Sequence, residues 1–281
     1  MFQNTLIVFQ VLLFVLVSEA LPTSTALMVT YISLGLILIL GEWFFPQYEI
    51  EGGKTAGFTW DILFLAANRL VISPLAATAT QAVLLPWVIA WLGASLVGNM
   101  WPSVLPLFVQ VILAILALTF LPYWVHRAMH HNAFLWRIHR IHHLPSQLTW
   151  MKTAWGHPLD FLLLYVSSGI TLLLLGIPIE VAQYVFVIMT VVTTVNHCNI
   201  RFAYRSRHWF FPGIREHRHH HDIDFQSARC NYGTTCLIWD HIFKTYNGSP
   251  AINPSIGVRG TVLGKEGSVG RMLFRNLLLK N

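Results

Sequence analysis

The amino-acid sequence predicts an all-α protein in which several membrane-spanning helices support a helical cap rich in histidine. Three observations predict this class. Hydrophobic residues make up 55% of the 281 residues and charged residues only 11%, and the mean hydropathy is +0.57. Because a soluble protein carries about 25% charged residues, the bilayer is the expected solvent. Finally, most of the fourteen histidines fall in two short polar stretches.

Two apolar segments begin the chain. Residues 5–17 follow a start, Met-Phe-Gln-Asn, that has no basic residue, so we interpret them as a membrane segment and not as a cleaved leader. Residues 26–46 form a longer run that ends in aromatic residues suited to the membrane interface. The acidic linker at residues 47–60 is expected in water, and its acidity favours the outer face of the membrane.

The middle of the chain supplies further spans. Residues 61–98 are long enough for two helices at about 20 residues per crossing, with a break expected near residues 74–81. Asn68 and Arg69 leave open a re-entrant or interfacial first segment. Residues 104–124 form a clear span that ends just before the first histidine stretch.

A second long apolar block separates the two histidine stretches. Gly176-Ile-Pro178 divides it into segments of about sixteen and nineteen residues, which we interpret as a hairpin that leaves the membrane surface after Asp160 and returns at His197. The return places both histidine stretches on the same side. In total, four to six membrane segments are expected.

The positive charges are concentrated in the second half of the chain. Residues 1–125 carry two Lys or Arg against five Asp or Glu, whereas the rest carries sixteen against seven. Because positively charged flanks stay in the cytoplasm, the histidine stretches and the C-terminal tail are expected there. A nucleic-acid partner is not expected, since no recognisable motif accompanies the basic residues. We therefore divide the chain into N-terminal membrane segments (1–100), a histidine-rich region (101–250) and a basic cytoplasmic tail (251–281).

The histidines recur at helical spacing. Residues i, i+3 and i+4 share one face of a helix, so the histidines within each of three groups could bind the same ion. Imidazole is a common ligand of iron, copper, zinc and nickel. Eight ligands exceed what one four- to six-coordinate ion uses, which favours two ions. The groups are His126 and His130; His139, His142 and His143; and His217, His220 and His221.

Other metal chemistries fit the pattern less well. A helical zinc peptidase places Glu after its first His as general base, and here that residue is Arg127. The three cysteines form no zinc-finger pair and are expected to be buried free thiols. Redox chemistry on an apolar substrate is favoured, while a metal transporter or storage protein and a membrane zinc hydrolase stay open. Transporters place ionisable residues within their spans, but these histidines lie at span ends.

Local sequence around these histidines resembles the fatty acid hydroxylase and sterol desaturase superfamily, whose members are membrane non-haem di-iron enzymes. The order H-x-x-x-H, H-x-x-H-H and, after an apolar hairpin, H-x-x-H-H resembles the family's histidine motifs. The likeness extends over about residues 104–247 and says little about residues 1–100. It departs from the usual pattern at Asp160, where Glu is common. The supporting segments are Leu135–His143, Thr153–Asp160, Asn196–Asn199, Asn231–Gly233 and Trp239–Thr245.

The resemblance implies that the eight motif histidines bind two iron ions, with His197 as a ninth ligand. It also implies O2 as cosubstrate, hydroxylation or desaturation of a C–H bond of a membrane lipid, and a separate electron donor such as a ferredoxin, cytochrome or reductase. The unfused chain favours a bacterial inner membrane, with the endoplasmic reticulum as the eukaryotic alternative. Carboxylates that orient the imidazoles are expected, and the nearest in sequence are Glu216, Asp222, Asp224 and Asp240.

The remaining histidines have weaker claims. His131 and His219 stand at variable positions of the motifs, and His157 is expected to support the site without direct ligation. His208 and His241 are expected to be ordinary polar residues.

Overall fold

The computed structural model describes residues 2–50, 57–93, 100–201, 208–250 and 255–259. Within those ranges the regular structure is helical, with two isolated β-bridges, which confirms the all-α prediction. The chain forms two compact units. The first comprises Met1–Phe58, Pro145–Thr153 and Gln183–Gly257, and the second comprises Thr59–Leu144, Ala154–Ala182 and Val258–Asn281. Most of the predicted tail at 251–281 lies outside the described residues.

In the first unit, helices α1 (Phe2–Ala20) and α2 (Thr23–Phe44) pack against each other. Pro22 precedes α2 as its N-cap; because its φ angle is fixed and it has no N–H to donate, proline is suited to a helix start. Phe14, Ala26 and Val187 form a buried cluster. The remaining helices that contribute to this unit are the 3₁₀ turn Trp150–Ala154, α9 (Ile179–His197), α10 (Ile214–His220) and α11 (Ile238–Ile242).

The end of α2 and the segment after α9 are joined by hydrogen bonds. The Glu42 carboxylate accepts from the backbone N–H of Trp150 and of Asn199, at 2.7 and 2.8 Å. Asn199 also exchanges two hydrogen bonds with the backbone of Tyr48. The start of the 47–60 linker therefore lies beside the end of α9. These two segments cannot lie on opposite faces of the membrane, so an outer-face linker and a cytoplasmic return of the chain are not both correct.

In the second unit, one continuous run covers Phe58–Trp91. It consists of α3 (Phe58–Ala67), α4 (Ser73–Thr78) and α5 (Leu85–Leu92) joined by two π-helical segments, Asn68–Ile72 and Ala79–Leu84.

The prediction of two helices with a break at residues 74–81 is therefore wrong. Pro74 and Pro86 each stand at the start of an α segment, directly after a π-helical segment. Proline has no N–H to donate and clashes with the carbonyl four residues earlier. A locally wider π turn accommodates this defect, and the helix continues.

Helices α6 (Leu107–His131), α7 (Ala133–His143) and α8 (Pro158–Leu175) complete the second unit. The Ser168 hydroxyl donates to the Leu118 carbonyl at 3.0 Å, joining α8 to α6. Between α6 and α7, the Asn132 side chain accepts from two backbone N–H groups at the start of α7. This cap separates the two histidine motifs onto two different helices.

The predicted break in the second apolar block is confirmed at residues 176–178. Gly176 ends α8 in the left-handed conformation, with φ +69°, and Ile177 N–H returns to Leu172 O. Such a C-cap favours glycine because it has no Cβ. Helix α9 then begins at Ile179, directly after Pro178.

Six helices in the described residues are long and apolar enough to cross a membrane, at the upper end of the predicted four to six. Large apolar side chains on them are exposed, including Leu12, Leu16, Leu36 and Phe108. Lipid-facing surfaces have this character because hydrocarbon is the surrounding solvent.

Candidate metal centre

Four histidines of α6 and α7 converge in the second unit. The ligand nitrogens of His126, His130, His139 and His143 all lie within 4.8 Å of one another. His139 Nε2 is 3.0 Å from His126 Nε2 and 3.1 Å from His143 Nε2. Each of the four side chains is at most 2% exposed. We call this set the first cluster.

A carboxylate orients the central imidazole of the first cluster. His139 Nδ1 lies 2.9 Å from Asp160 Oδ2. Donation of the Nδ1 proton to a carboxylate leaves Nε2 as the lone-pair nitrogen and makes it a stronger ligand. Asp160 was not among the four carboxylates expected in this role. Its position three residues after His157, in the first turn of α8, was the available sequence signal.

His142 lies beside the first cluster. Its ring centroid is 5.4 Å from that of His139, and its Nδ1–H donates to the Trp155 carbonyl at 2.7 Å. Burial lowers the pKa of His142 to about 4, with a smaller contribution from His139. Its imidazole is therefore neutral at physiological pH, the form that binds metals.

Three histidines converge in the first unit. The ligand nitrogens of His197, His217 and His221 lie within 4.8 Å of one another. His217 Nε2 is 2.9 Å from His197 Nε2 and 3.1 Å from His221 Nε2. These buried residues come from the end of α9 and from α10 with its C-cap. We call them the second cluster.

Backbone carbonyls orient the imidazoles around the second cluster. His197 Nδ1–H donates to Thr193 O at 2.9 Å. His220 lies beside the cluster, with its ring centroid 5.5 Å from that of His217, and its Nδ1–H donates to Cys230 O at 2.8 Å. Both Nε2 atoms are thereby left with lone pairs.

The donor set fits a metal ion in each cluster. An imidazole nitrogen lies about 2.1 Å from a bound first-row ion, so two such nitrogens at right angles are about 3.0 Å apart. The shortest contacts in both clusters, 2.9–3.1 Å, have this separation. His139 Nε2 has one lone pair and two neighbouring imidazole nitrogens. One hydrogen bond cannot satisfy both neighbours, whereas a cation can attract all three nitrogens.

The four carboxylates expected to orient imidazoles hold other groups. Glu216 accepts from the backbone N–H of His208 and of Gly213, at the start of α10. Asp222 and Asp224 accept from backbone N–H groups in the turn after the second cluster. Asp240 accepts from the N–H groups of residues 232 and 233 and from the Thr245 hydroxyl. Burial raises the pKa of Asp240 although these three donors act to lower it.

The histidines with weaker claims are spread over several roles. His131 is exposed, whereas His157 caps α8 by accepting from Leu159 N–H at 3.1 Å. His219 Nε2 donates to Ser249 O. His208 is buried, and burial, together with Arg215, lowers its pKa to about 4. His241 Nε2 donates to Trp209 O.

Known proteins resemble this chain over a region that contains both histidine clusters. Residues 111–245 match the fatty acid hydroxylase family. The ornithine lipid hydroxylase OlsE of Rhizobium tropici is 29% identical over 236 residues, which are 83% of this chain and 71% of that protein. Sphinganine C4-monooxygenase 2 of Arabidopsis thaliana is 31% identical, over 51% of this chain and 56% of its own length. No solved structure matches.

The match to an animal relative covers less of this chain. Methylsterol monooxygenase 1 of Rattus norvegicus is 29% identical over 44% of this chain and 41% of its own length. The chain thus spans about half the length of the plant relative and less than half of the animal one.

Six membrane-length helices and buried clusters of histidine define a multi-pass membrane protein with a candidate metal centre. The family match and the relatives specify it further. Residues 111–245 carry the fatty acid hydroxylase domain, and the relatives support the fatty acid hydroxylase and sterol desaturase superfamily.

Proposed function

We propose that this protein is an O2-dependent hydroxylase of a membrane lipid and that its histidine clusters hold two iron ions. The observation that carries the proposal is the convergence of Nε2 atoms in each cluster, at separations of 2.9–3.1 Å. The relatives support the reaction class, since those reported above are named as hydroxylases or monooxygenases of lipids. Hydroxylation is proposed ahead of desaturation for the same reason.

The proposed ligands are the nine histidines predicted from the sequence. His142 and His220, each beside a cluster, complete the set because their Nδ1–H groups are held by carbonyls and their Nε2 atoms carry lone pairs. The full set is His126, His130, His139, His142, His143, His197, His217, His220 and His221. The catalytic region is proposed to be residues 101–250.

Iron is favoured over zinc by the number of donors. A tetrahedral zinc ion takes four ligands, so nine histidines exceed the need of two zinc ions. The zinc hydrolase and the metal transporter are weaker alternatives on this ground.

The chain's own residues prepare the site for this chemistry. The iron ions supply, when bound, the reductive activation of O2 that an unactivated C–H bond requires. Asp160 and the carbonyls of Thr193, Trp155 and Cys230 hold the Nδ1 protons, so the imidazoles keep one tautomer and one orientation. Burial of the histidines excludes bulk water from the reacting groups.

The substrate and the electron source follow from the setting. A lipid whose chain lies in the bilayer would reach the site from the membrane, and an ornithine lipid is the first substrate to test, because the match to OlsE covers 83% of this chain. Electrons are proposed to come from a separate ferredoxin, cytochrome or reductase. The excess of Lys and Arg after residue 125 supports a cytoplasmic site in a bacterial inner membrane.

Lipid mass spectrometry tests this function. Cells that express the wild-type chain or the His217→Ala variant are grown under 18O2, and their lipids are compared. The proposal predicts a lipid that carries one 18O atom in wild-type cells only. Oxygen-independent turnover, zinc at stoichiometric occupancy, or metal flux in liposomes without an oxidised lipid would contradict it.

A further inference from the structure

Three exposed side chains of the first unit lie outside the histidine clusters and take no part in the proposed chemistry. Trp209 is 64% exposed and Ile242 is 56% exposed, and Lys244 is exposed as well. Contacts through His241 bring them together: its Nε2 donates to the Trp209 carbonyl at 3.1 Å, and the two rings stack at 5.2 Å. We call Trp209, Ile242 and Lys244 the interface patch.

The patch is attached to the end of a membrane helix. Gln3, in the first turn of α1, donates through Nε2 to Pro212 O at 3.1 Å, and Gln3 is 3% exposed. Helix α1 is one of the six membrane-length helices. The loop at 208–213 therefore lies at the level where α1 enters the bilayer.

Further hydrogen bonds fix α11 to this loop. Leu237 N–H, directly before α11, donates to Phe210 O at 2.7 Å, and Tyr246 Oη–H, just after α11, donates to His208 O at 3.3 Å. Both ends of the short helix are thus tied to a loop that is itself tied to α1. Ile242 and Lys244 consequently share the level of Trp209.

The chemistry of the patch matches the headgroup region of a bilayer. Tryptophan is enriched at the membrane interface because its ring is apolar and its N–H is polar. An isoleucine adds apolar area, and a lysine near the surface of an anionic membrane contributes about 1 kcal/mol. We propose that the interface patch inserts into the lipid headgroup region of the protein's own membrane, with Lys244 beside an anionic lipid phosphate. It thereby holds the segment that follows the second cluster against the bilayer.

Site-directed spin labelling in lipid nanodiscs tests the insertion. The label is placed at Ile242→Cys or Trp209→Cys, two positions whose side chains are exposed. The native thiols of Cys198, Cys230 and Cys236 are buried, and burial raises the pKa of each, so the label spares them. The measured quantity is the accessibility of the label to O2, which dissolves in lipid, relative to a water-soluble nickel chelate.

Two positions calibrate the measurement. Leu12→Cys, on an exposed face of α1, reports lipid, and Ser227→Cys, exposed in a polar turn, reports water. The inserted patch predicts that the labels at 242 and 209 have nickel accessibility several-fold below that at 227 and O2 accessibility closer to that at 12. Nickel accessibility equal to that at 227 at both positions would overturn the proposal and would point to a soluble protein partner for this surface.

Lys244→Gln tests the headgroup contact separately. In nanodiscs that contain anionic phospholipid, the substitution should raise the nickel accessibility of the label at 242, whereas in purely zwitterionic nanodiscs it should change little. An equal change in both lipids would overturn the assignment of Lys244 to an anionic phosphate. The inference does not depend on the proposed reaction, since neither measurement requires turnover or bound metal.

Discussion

His139 and His197 belong to clusters with the same nitrogen separations but have different hydrogen-bond partners. His139 Nδ1 lies 2.9 Å from the carboxylate of Asp160, whereas His197 Nδ1–H donates to the carbonyl of Thr193 at the same distance. A carboxylate partner increases the basicity of the imidazole more than a neutral carbonyl does. The histidines of the two clusters therefore have the same helical spacing, whereas the hydrogen-bond acceptors of His139 and His197 differ in charge.

This difference implies unequal metal affinity. The first cluster has a buried negative charge beside its central ligand, which stabilises a bound cation. For His197 and His220 the acceptors are the carbonyls of Thr193 and Cys230, and Cys230 lies in a loop outside α10. The second cluster should consequently lose its ion first under a chelator.

The largest effects are expected at the central histidines. His139→Ala and His217→Ala each remove the nitrogen that lies closest to two others. Each variant should lose lipid hydroxylation and about one of the two proposed iron ions, because its cluster is then one ligand short. Iron content per chain and 18O incorporation measure this.

His131→Ala is the matched control, since His131 is an exposed histidine on the same helix as His126. It should retain iron and activity. If either central variant retained both iron ions, the corresponding cluster would not be a ligand set.

Asp160→Asn tests the carboxylate directly. The amide keeps the size of the side chain but removes the negative charge that accepts from His139, so metal affinity or activity should fall about 10- to 100-fold. Titration of the metal-free protein with Fe(II), read by bound iron, separates loss of affinity from loss of folding. Glu180→Gln, an exposed acid in the first turn of α9, should leave affinity unchanged. Equal affinity in both variants would remove the proposed asymmetry between the clusters.

Much of this architecture was predictable from the sequence because it depends on local patterns. The lengths of the apolar segments predicted four to six membrane helices, and the described residues contain six of sufficient length. The H-x-x-H-H spacing placed His139 and His143 on one helical face. Gly176-Ile-Pro178 predicted the break between α8 and α9 through backbone conformation alone. These features need no knowledge of distant contacts.

The features that were missed depend on contacts between distant segments. Asp160 orients His139 from 21 residues away, and no rule of spacing connects them. The pairing of Tyr48 with Asn199 spans 151 residues, and because of it an outer-face linker and a cytoplasmic return of the chain are not both correct. At Pro74, a known helix-breaking tendency was compensated by a π turn, which composition does not reveal.

Asp240→Ala should destabilise the fold around the second cluster. The carboxylate accepts from Tyr232 N–H, Gly233 N–H and the Thr245 hydroxyl at 2.7–2.8 Å, and it thereby fixes the loop that follows Cys230. Loss of three buried hydrogen bonds at about 1 kcal/mol each should lower the free energy of unfolding by about 3 kcal/mol. Thermal unfolding in detergent measures the change.

Thr245→Val removes only one of these donors and should cost about 1 kcal/mol. Because Cys230 O accepts from His220, Asp240→Ala should also weaken iron binding more than Thr245→Val does. Equal stability of Asp240→Ala and the wild type would show that the loop is held by other contacts.

An effect smaller than that of Asp240→Ala concerns the acid sensitivity of the unit that contains the second cluster. His208 is buried, and burial, together with Arg215, lowers its pKa from 6.5 to about 4. Between these two values the unfolded chain binds a proton at His208 that the folded chain does not, so the free energy of unfolding falls as the pH falls below 6.5. From the two pKa values, the loss at pH 5 is about 2 kcal/mol.

His208→Gln removes this titration while it leaves intact the backbone N–H of residue 208, which donates to Glu216. Relative to the wild type, the variant should therefore gain about 2 kcal/mol on going from pH 8 to pH 5, and it should retain iron and activity at pH 8. Unfolding of the metal-free proteins at both pH values measures the difference. Parallel pH profiles would show that His208 is not held neutral by its surroundings, and loss of iron at pH 8 would place His208 within the second cluster's ligand shell.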